Sequence, residues 1–183
     1  FMGLVESLDW QISPRRRQFG NLAHSSAIGR REHWQREHRA AREGVVAMDM
    51  SFMGKFLVQG RDAGKCLDWI SANAVDGAAG QITYTQWLNA QGRLEADLTV
   101  TKLGDDRYFV VVTDTMVRHA ETWMKRNIPD DAHAFVTDVS SGVAQLNVQG
   151  PRSRELLQSL TSVDLSNEAF PFRAAREIDL GYA

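Results

Sequence analysis

From residue 82 onward, the hydrophobic and polar positions alternate in short runs separated by turn signals. Residues 82–88 form one run. Asn89-Ala90-Gln91-Gly92 reverses the chain into 93–103, and Gly104-Asp105-Asp106 reverses it again into 107–113. Three strands joined by tight turns predict an antiparallel meander. In the middle strand a period of two puts Leu94, Ala96, Leu98 and Val100 on one face and Glu95, Asp97 and Thr99 on the other. A strand-rich run over 48–60 is interrupted near Gly54. Residues 134–139 and 143–148 predict a further strand pair around Ser140-Ser141-Gly142.

Helical spacing fills the intervals. Trp34, His38, Ala41 and Val45 predict a helix over 32–44, stopped by Gly44. Asp62 caps a short helix to residue 70 with Cys66, Leu67 and Ile70 as its buried stripe. A third helix over 115–126 turns Val117, Ala120, Trp123 and Met124 inward. Gly150-Pro151 starts a fourth, with Leu156, Leu157 and Leu160 on its buried side. Strands lie beside strands with helices crossing between them, which predicts an α+β fold of antiparallel sheets. Residues 1–31 lack periodicity and read as an irregular arm, in which Arg15-Arg16-Arg17 is most simply solvated charge; residues 32–183 form the domain.

Composition narrows the function classes. The chain has 183 residues, 43% hydrophobic and 24% charged, with a formal net charge of −2. Such a balance predicts a folded, soluble, cytoplasmic protein with no field for nucleic acid or a membrane surface. A single cysteine, Cys66, cannot form an internal disulfide and reads as core in a reducing compartment. His33 and His38, five apart, fall on different helix faces, so no metal site is expected there. The terminal Gly181-Tyr182-Ala183 follows a fading strand pattern, and Phe1 precedes the first methionine; both point to a truncated fragment.

Nucleotide and nucleophile signatures are absent: no Gly-x-Gly-x-x-Gly, no Walker loop, no Gly-x-Ser-x-Gly and no Cys-x-x-Cys. Any FAD therefore sits on a separate domain. The most informative feature is the carboxylate face of the middle strand, since Asp is disfavoured in strands. Two readings are open. Glu95 and Asp97 belong to a solvated sheet face, or Asp97 lines a cavity where it steadies a cation or takes a proton.

Three motifs carry a resemblance. Glu37-His38-x-Ala40-x-Arg42-Glu43-Gly44-Val45 is followed by Asp49-Met50-Ser51-x-x-Gly54-Lys55-Phe56-x-Val58-x-Gly60-x-Asp62-Ala63. Tyr84-Thr85-x-x-Leu88-Asn89-x-x-Gly92-x-x-x-x-Asp97-Leu98-Thr99-Val100 comes third. From about Glu37 to Gln149-Gly150-Pro151 the chain resembles the folate-binding domain of sarcosine and dimethylglycine dehydrogenases, relatives of the glycine-cleavage T-protein, an aminomethyltransferase. The resemblance implies antiparallel strands and helices around tetrahydrofolate, with Asp97 as the catalytic aspartate. It further implies Met53, Tyr84, Phe109 and Val111 as folate-contacting positions; for Phe109 and Val111 plain sheet core is an equal alternative. Thr113 departs from the T-protein pattern, which has asparagine there.

The implied activity is capture of the iminium from N-methyl amine oxidation as methylenetetrahydrofolate. The expected partners are folate, that iminium, an upstream FAD domain and a missing second half that carries a pteridine-binding glutamate. A stand-alone glycine-cleavage-type aminomethyltransferase, or a non-catalytic folate-binding relative, are the alternatives. The fragment alone is expected to be inactive. It is also expected to self-associate through Leu156, Leu157, Phe170 and Phe172.

Overall fold

The computed structural model describes residues 27–181, with side chains described from residue 32. The expected arm, including Arg15-Arg16-Arg17, lies outside the described residues up to residue 26. In chain order, α1 (Ala27–Glu43) leads to β1 (Val46–Asp49), β2 (Gly54–Gln59) and α2 (Ala63–Ile70). Next come β3 (Ile82–Leu88), β4 (Leu94–Gly104) and β5 (Arg107–Val112), a 3-10 turn (Asp114–Met116) and α3 (Val117–Asn127). The strands β6 (Phe135–Asp138) and β7 (Leu146–Gln149) and the helix α4 (Ser153–Gln158) complete the fold. Because α1 begins at Ala27, the boundary expected after residue 31 falls inside a helix. No helix among the described residues is long and apolar enough to cross a membrane.

The described residues divide into two compact units. One gathers the residues through Met48 with Leu146–Ala169 and the stretch from Ile178; the other is Asp49–Gln145 with Phe170–Glu177. In the first, β1 pairs with β7 in a two-stranded sheet. Gly150 lets the backbone pass close here: it takes φ +122°, and a Cβ on it would stand 2.2 Å from the Gly44 carbonyl. Arg152 N–H then donates to that carbonyl. Pro151 lies outside α4, before its N-cap Arg152, so it precedes the helix instead of starting it. Leu156, Leu157 and Leu160 are only half-buried, while Leu165 is buried.

The second unit is built on a five-stranded antiparallel sheet, ordered β3-β4-β5-β2-β6. The meander forms as its turn chemistry predicts. The pairing expected between 134–139 and 143–148 does not form: β6 joins β2 in this sheet, and β7 joins β1 in the other. Strands of four residues carry too little pattern to name their partner. The interruption of the 48–60 run falls at residues 50–53, and Gly54 opens β2.

One face of the sheet is sealed. Phe56, Val58, Trp87, Ala96, Leu98, Val100, Val110 and Val112 pack with Leu67 and Ile70 of α2 and with Ala120 and Met124 of α3. In α2 the buried positions Ala63, Cys66, Leu67 and Ile70 follow the helical period. Asp62 occupies the N-cap position of α2 without a capping bond; its carboxylate instead accepts from His133 N–H at 2.8 Å. Cys66 is buried as expected, and burial pushes its thiol pKa up. Of the four residues expected to drive self-association, only Phe172 is strongly exposed, at 90%.

A polar lock closes one end of this core. The buried Tyr108 hydroxyl donates to Asp76 at 2.5 Å, and Lys102 Nζ meets the same carboxylate oxygen at 2.6 Å. Gly64 of α2 makes room: a Cβ there would lie 2.3 Å from the Tyr108 hydroxyl. The Lys102 ammonium, and then the Tyr108 hydroxyl, hold the Asp76 carboxyl below its usual range against a smaller upward push from burial.

The lock sets the response to substitution and to pH. A depressed carboxyl pKa contributes stability that is present above the unfolded value, near 3.9, and is lost as pH falls through the folded value. Asp76→Asn should therefore flatten the stability loss below about pH 4, as read by urea unfolding across pH. Asp76→Ala leaves the buried Tyr108 hydroxyl with only its long bond to the Asp105 carbonyl, at 3.4 Å, and should cost about 1–3 kcal/mol at neutral pH. Gly64→Ala, which pushes a methyl into the same bond, should destabilise in the same direction.

Candidate functional site

Alternation along the strands that seals one face leaves the other exposed at Tyr84 and Asp97, although Lys55 and Thr101 on it are buried. In register, Gln86 lies opposite Asp97, and Tyr84 opposite Thr99 and then Val111; Ile82 faces Thr101, then Phe109 and Leu57. Tyr84, Asp97, Phe109 and Val111 thus share the open face on three adjacent strands. Tyr84 is 48% exposed, Asp97 is exposed, and Phe109 and Val111 are half-buried. Met53 lies in the turn just before β2 and is half-buried.

Asp97 is the carboxylate of this face. Its Oδ2 accepts a hydrogen bond from the Tyr84 hydroxyl at 2.8 Å. Beside it stand the Tyr84 phenol and, diagonally across on β5, Val111, with Gln86 directly opposite; Phe109 lies further along the same face, opposite Thr101. A surface of this kind suits a flat heteroaromatic group: rings and aliphatic carbons hold its faces, and one fixed charge meets its polar edge. Asp97 itself is exposed.

Glu95 does not join it. At the start of β4 the register slips, with Leu88 opposite Leu94 but Trp87 opposite Ala96. Glu95 is the extra residue of this bulge, and a bulge re-aims its side chains. Leu94, expected inside, is 62% exposed. Glu95, expected beside Asp97, instead reaches α3, where its Oε2 lies 2.8 Å from His119 Nε2. Its Oε1 accepts from Asn89 Nδ2 at 2.8 Å. Of the two carboxylates that the alternation put together, one ties a helix to a strand end and one stays on the open face.

Lys55 is a second surprise. It is 1% exposed at an open-face position opposite Val111, and its Nζ donates to the carbonyls of Ser51 at 2.9 Å and Met53 at 2.8 Å. The buried ammonium therefore ties down the turn that carries Met53. A Gly-Lys pair beside a methionine gives no sequence signal for that role, because the acceptors are backbone carbonyls. Gln86 was equally invisible; only the β3–β4 register shows it beside Asp97.

Elsewhere in this unit, a cavity of about 680 Å³ opens between the ends of α2 and α3 against Cys66, Trp69 and Asn127. None of the expected site residues lines it. Two of its carboxylates, Asp62 and Asp68, already accept backbone N–H bonds. The chemistry of interest lies with the open face.

Comparison with known proteins agrees with the fold. The family model described as GCVT N-terminal domain matches residues 10–183. The chain is 37% identical over 149 residues to "4-methylaminobutanoate oxidase (formaldehyde-forming)" of Paenarthrobacter nicotinovorans, covering 80% of this chain and 18% of that protein. It is 34% identical over 152 residues to mitochondrial sarcosine dehydrogenase of Mus musculus, covering 75% of this chain and 16% of that protein. The chain thus spans under a fifth of either relative. Among solved structures, glycine cleavage system aminomethyltransferase T from Bartonella henselae superposes with a TM-score of 0.59 at 22% identity. That match covers 68% of this chain and 34% of the other.

Because Asp97 is exposed and its described partner is one exposed phenol, Asp97→Asn should leave the fold intact. Its unfolding free energy should stay within about 0.5 kcal/mol of the parent in denaturant titration. A larger loss would assign Asp97 to the architecture.

Proposed function

The chain belongs to the GCVT N-terminal domain family, and from that premise we propose that its open face serves tetrahydrofolate-dependent one-carbon transfer. In this reading it captures the iminium from N-methyl amine oxidation as methylenetetrahydrofolate, within a sarcosine- or dimethylglycine-dehydrogenase-like flavoenzyme. The observation that carries the reading is the Asp97 carboxylate, held by Tyr84 at 2.8 Å on a face otherwise walled by Phe109 and Val111. Relatives named as an oxidase and a sarcosine dehydrogenase support the amine context. The flavin would sit on chain outside these 183 residues, and the short coverage of both relatives leaves room for it.

The donor set fits the group. Tetrahydrofolate, when bound, would supply the pair of nitrogens that takes up the one-carbon unit, and the bond from that carbon to the substrate nitrogen would break to release the demethylated amine. Tyr84, Phe109 and Val111 would wall its ring system, with Met53 as a further contact. Asp97 would stabilise the approaching cation by its charge, orient the reacting nitrogen and accept the proton released there. Its placement on a rigid strand limits the reorganisation needed when positive charge approaches.

Two measurements test the proposal. In the protein at its natural length, Asp97→Asn should lower folate-dependent methylenetetrahydrofolate formation by about 10²–10³-fold, the usual effect of removing a preorganised electrostatic group. Transfer at the parent rate would remove Asp97 from the chemistry. By calorimetry, the 183-residue chain should bind tetrahydrofolate weakly or not at all. An open sheet face encloses far less than the roughly 70–90% of ligand surface that binding sites cover. Low-micromolar binding by this chain would show that it forms the whole pocket.

A further inference from the structure

We propose that the Tyr84 hydroxyl is a positioning group for the Asp97 carboxylate, a role separate from any contact its ring makes with a ligand. The inference rests on the one-carbon-transfer reading of this face. Tyr84 and Asp97 are not register partners: Tyr84 stands opposite Thr99, and Asp97 opposite Gln86. The phenol spans the diagonal between strands, a separation that an aromatic side chain can bridge, and donates to Oδ2 at 2.8 Å.

That one bond has a defined consequence. A carboxylate has two oxygens and two soft torsions, and an exposed aspartate with no partner samples several rotamers. Here Oδ2 is engaged by a charge-assisted hydrogen bond. Oδ1 has no described partner and remains available on the open face, so a ligand meets one oxygen in one orientation. The bond contributes little to the fold, since both residues lie exposed on the side away from the sealed core. Its effect falls on the geometry of the site.

Tyr84→Phe separates the two roles, because it keeps the ring and deletes only the hydroxyl. With the protein at its natural length, Tyr84→Phe should lower kcat for folate-dependent transfer by on the order of tenfold and leave KM for tetrahydrofolate unchanged, the pattern of an interaction that acts at the transition state. Adding Tyr84→Phe to Asp97→Asn should cause no further loss, since the hydroxyl works through the carboxylate. A readout independent of activity comes from side-chain scalar couplings of Asp97 measured on this chain: one dominant rotamer in the parent, and averaged couplings in Tyr84→Phe.

A parent kcat in Tyr84→Phe, a change confined to KM, or an Asp97 rotamer that survives the loss of the hydroxyl would each overturn the positioning role. If Asp97→Asn is impaired while Tyr84→Phe is silent, only the positioning role falls. If Asp97→Asn itself transfers at the parent rate, the functional reading of the face falls, and the positioning role with it.

Discussion

The pairing of β4 with β3 on one side and β5 on the other is the constraint from which the larger unit follows. In a strand, a slip of one residue sends every side chain to the opposite face. Ala96, Leu98 and Val100 are buried against α2 and α3; displacing them would expose that apolar surface and drive Asp97 and Thr99 into it. Burying an unpaired carboxylate is costly enough to exclude that arrangement. Core burial on one face therefore places Asp97 on the other, and the same register brings Tyr84 and Val111 near it and sets Phe109 further along that face.

The bulge at Glu95 shows how this constraint is kept where the hairpin enters the sheet. An extra residue is taken up at the start of β4, so the alternation further along stays in phase with the core. Glu95 then reaches His119 and Asn89 and fastens the strand end to α3. At the other end of the core, the Tyr108–Asp76–Lys102 cluster fixes the small-residue loop that leads into β3.

Against this background the family relationship has a physical sense. A sheet with one sealed and one open face can present a planar ligand to a single fixed carboxylate, with aromatic and aliphatic side chains as the floor. The buried Lys55 ammonium adds rigidity in the turn before β2 by holding the Ser51 and Met53 carbonyls. Such a face is positioned by backbone hydrogen bonds instead of mobile loops, which suits chemistry that depends on orientation.

The amino-acid sequence by itself determined the meander, the buried stripes of α2 and α3, and the presence of a carboxylate on the polar side of β4. Each depends on periodicity and turn chemistry within about twenty residues. It also carried the motifs by which the family could be recognised. Tertiary structure decided which strands β6 and β7 join, because four-residue strands find partners only through contacts distant in sequence. It decided that Glu95 leaves the face and Asp97 stays, since a bulge depends on the fit of two strands and is invisible in one. The Asp76 lock, the carbonyl ligation of Lys55 and the Tyr84–Asp97 bond arose at the same level. Each joins groups whose proximity is created by strand register and packing, and no local pattern records it.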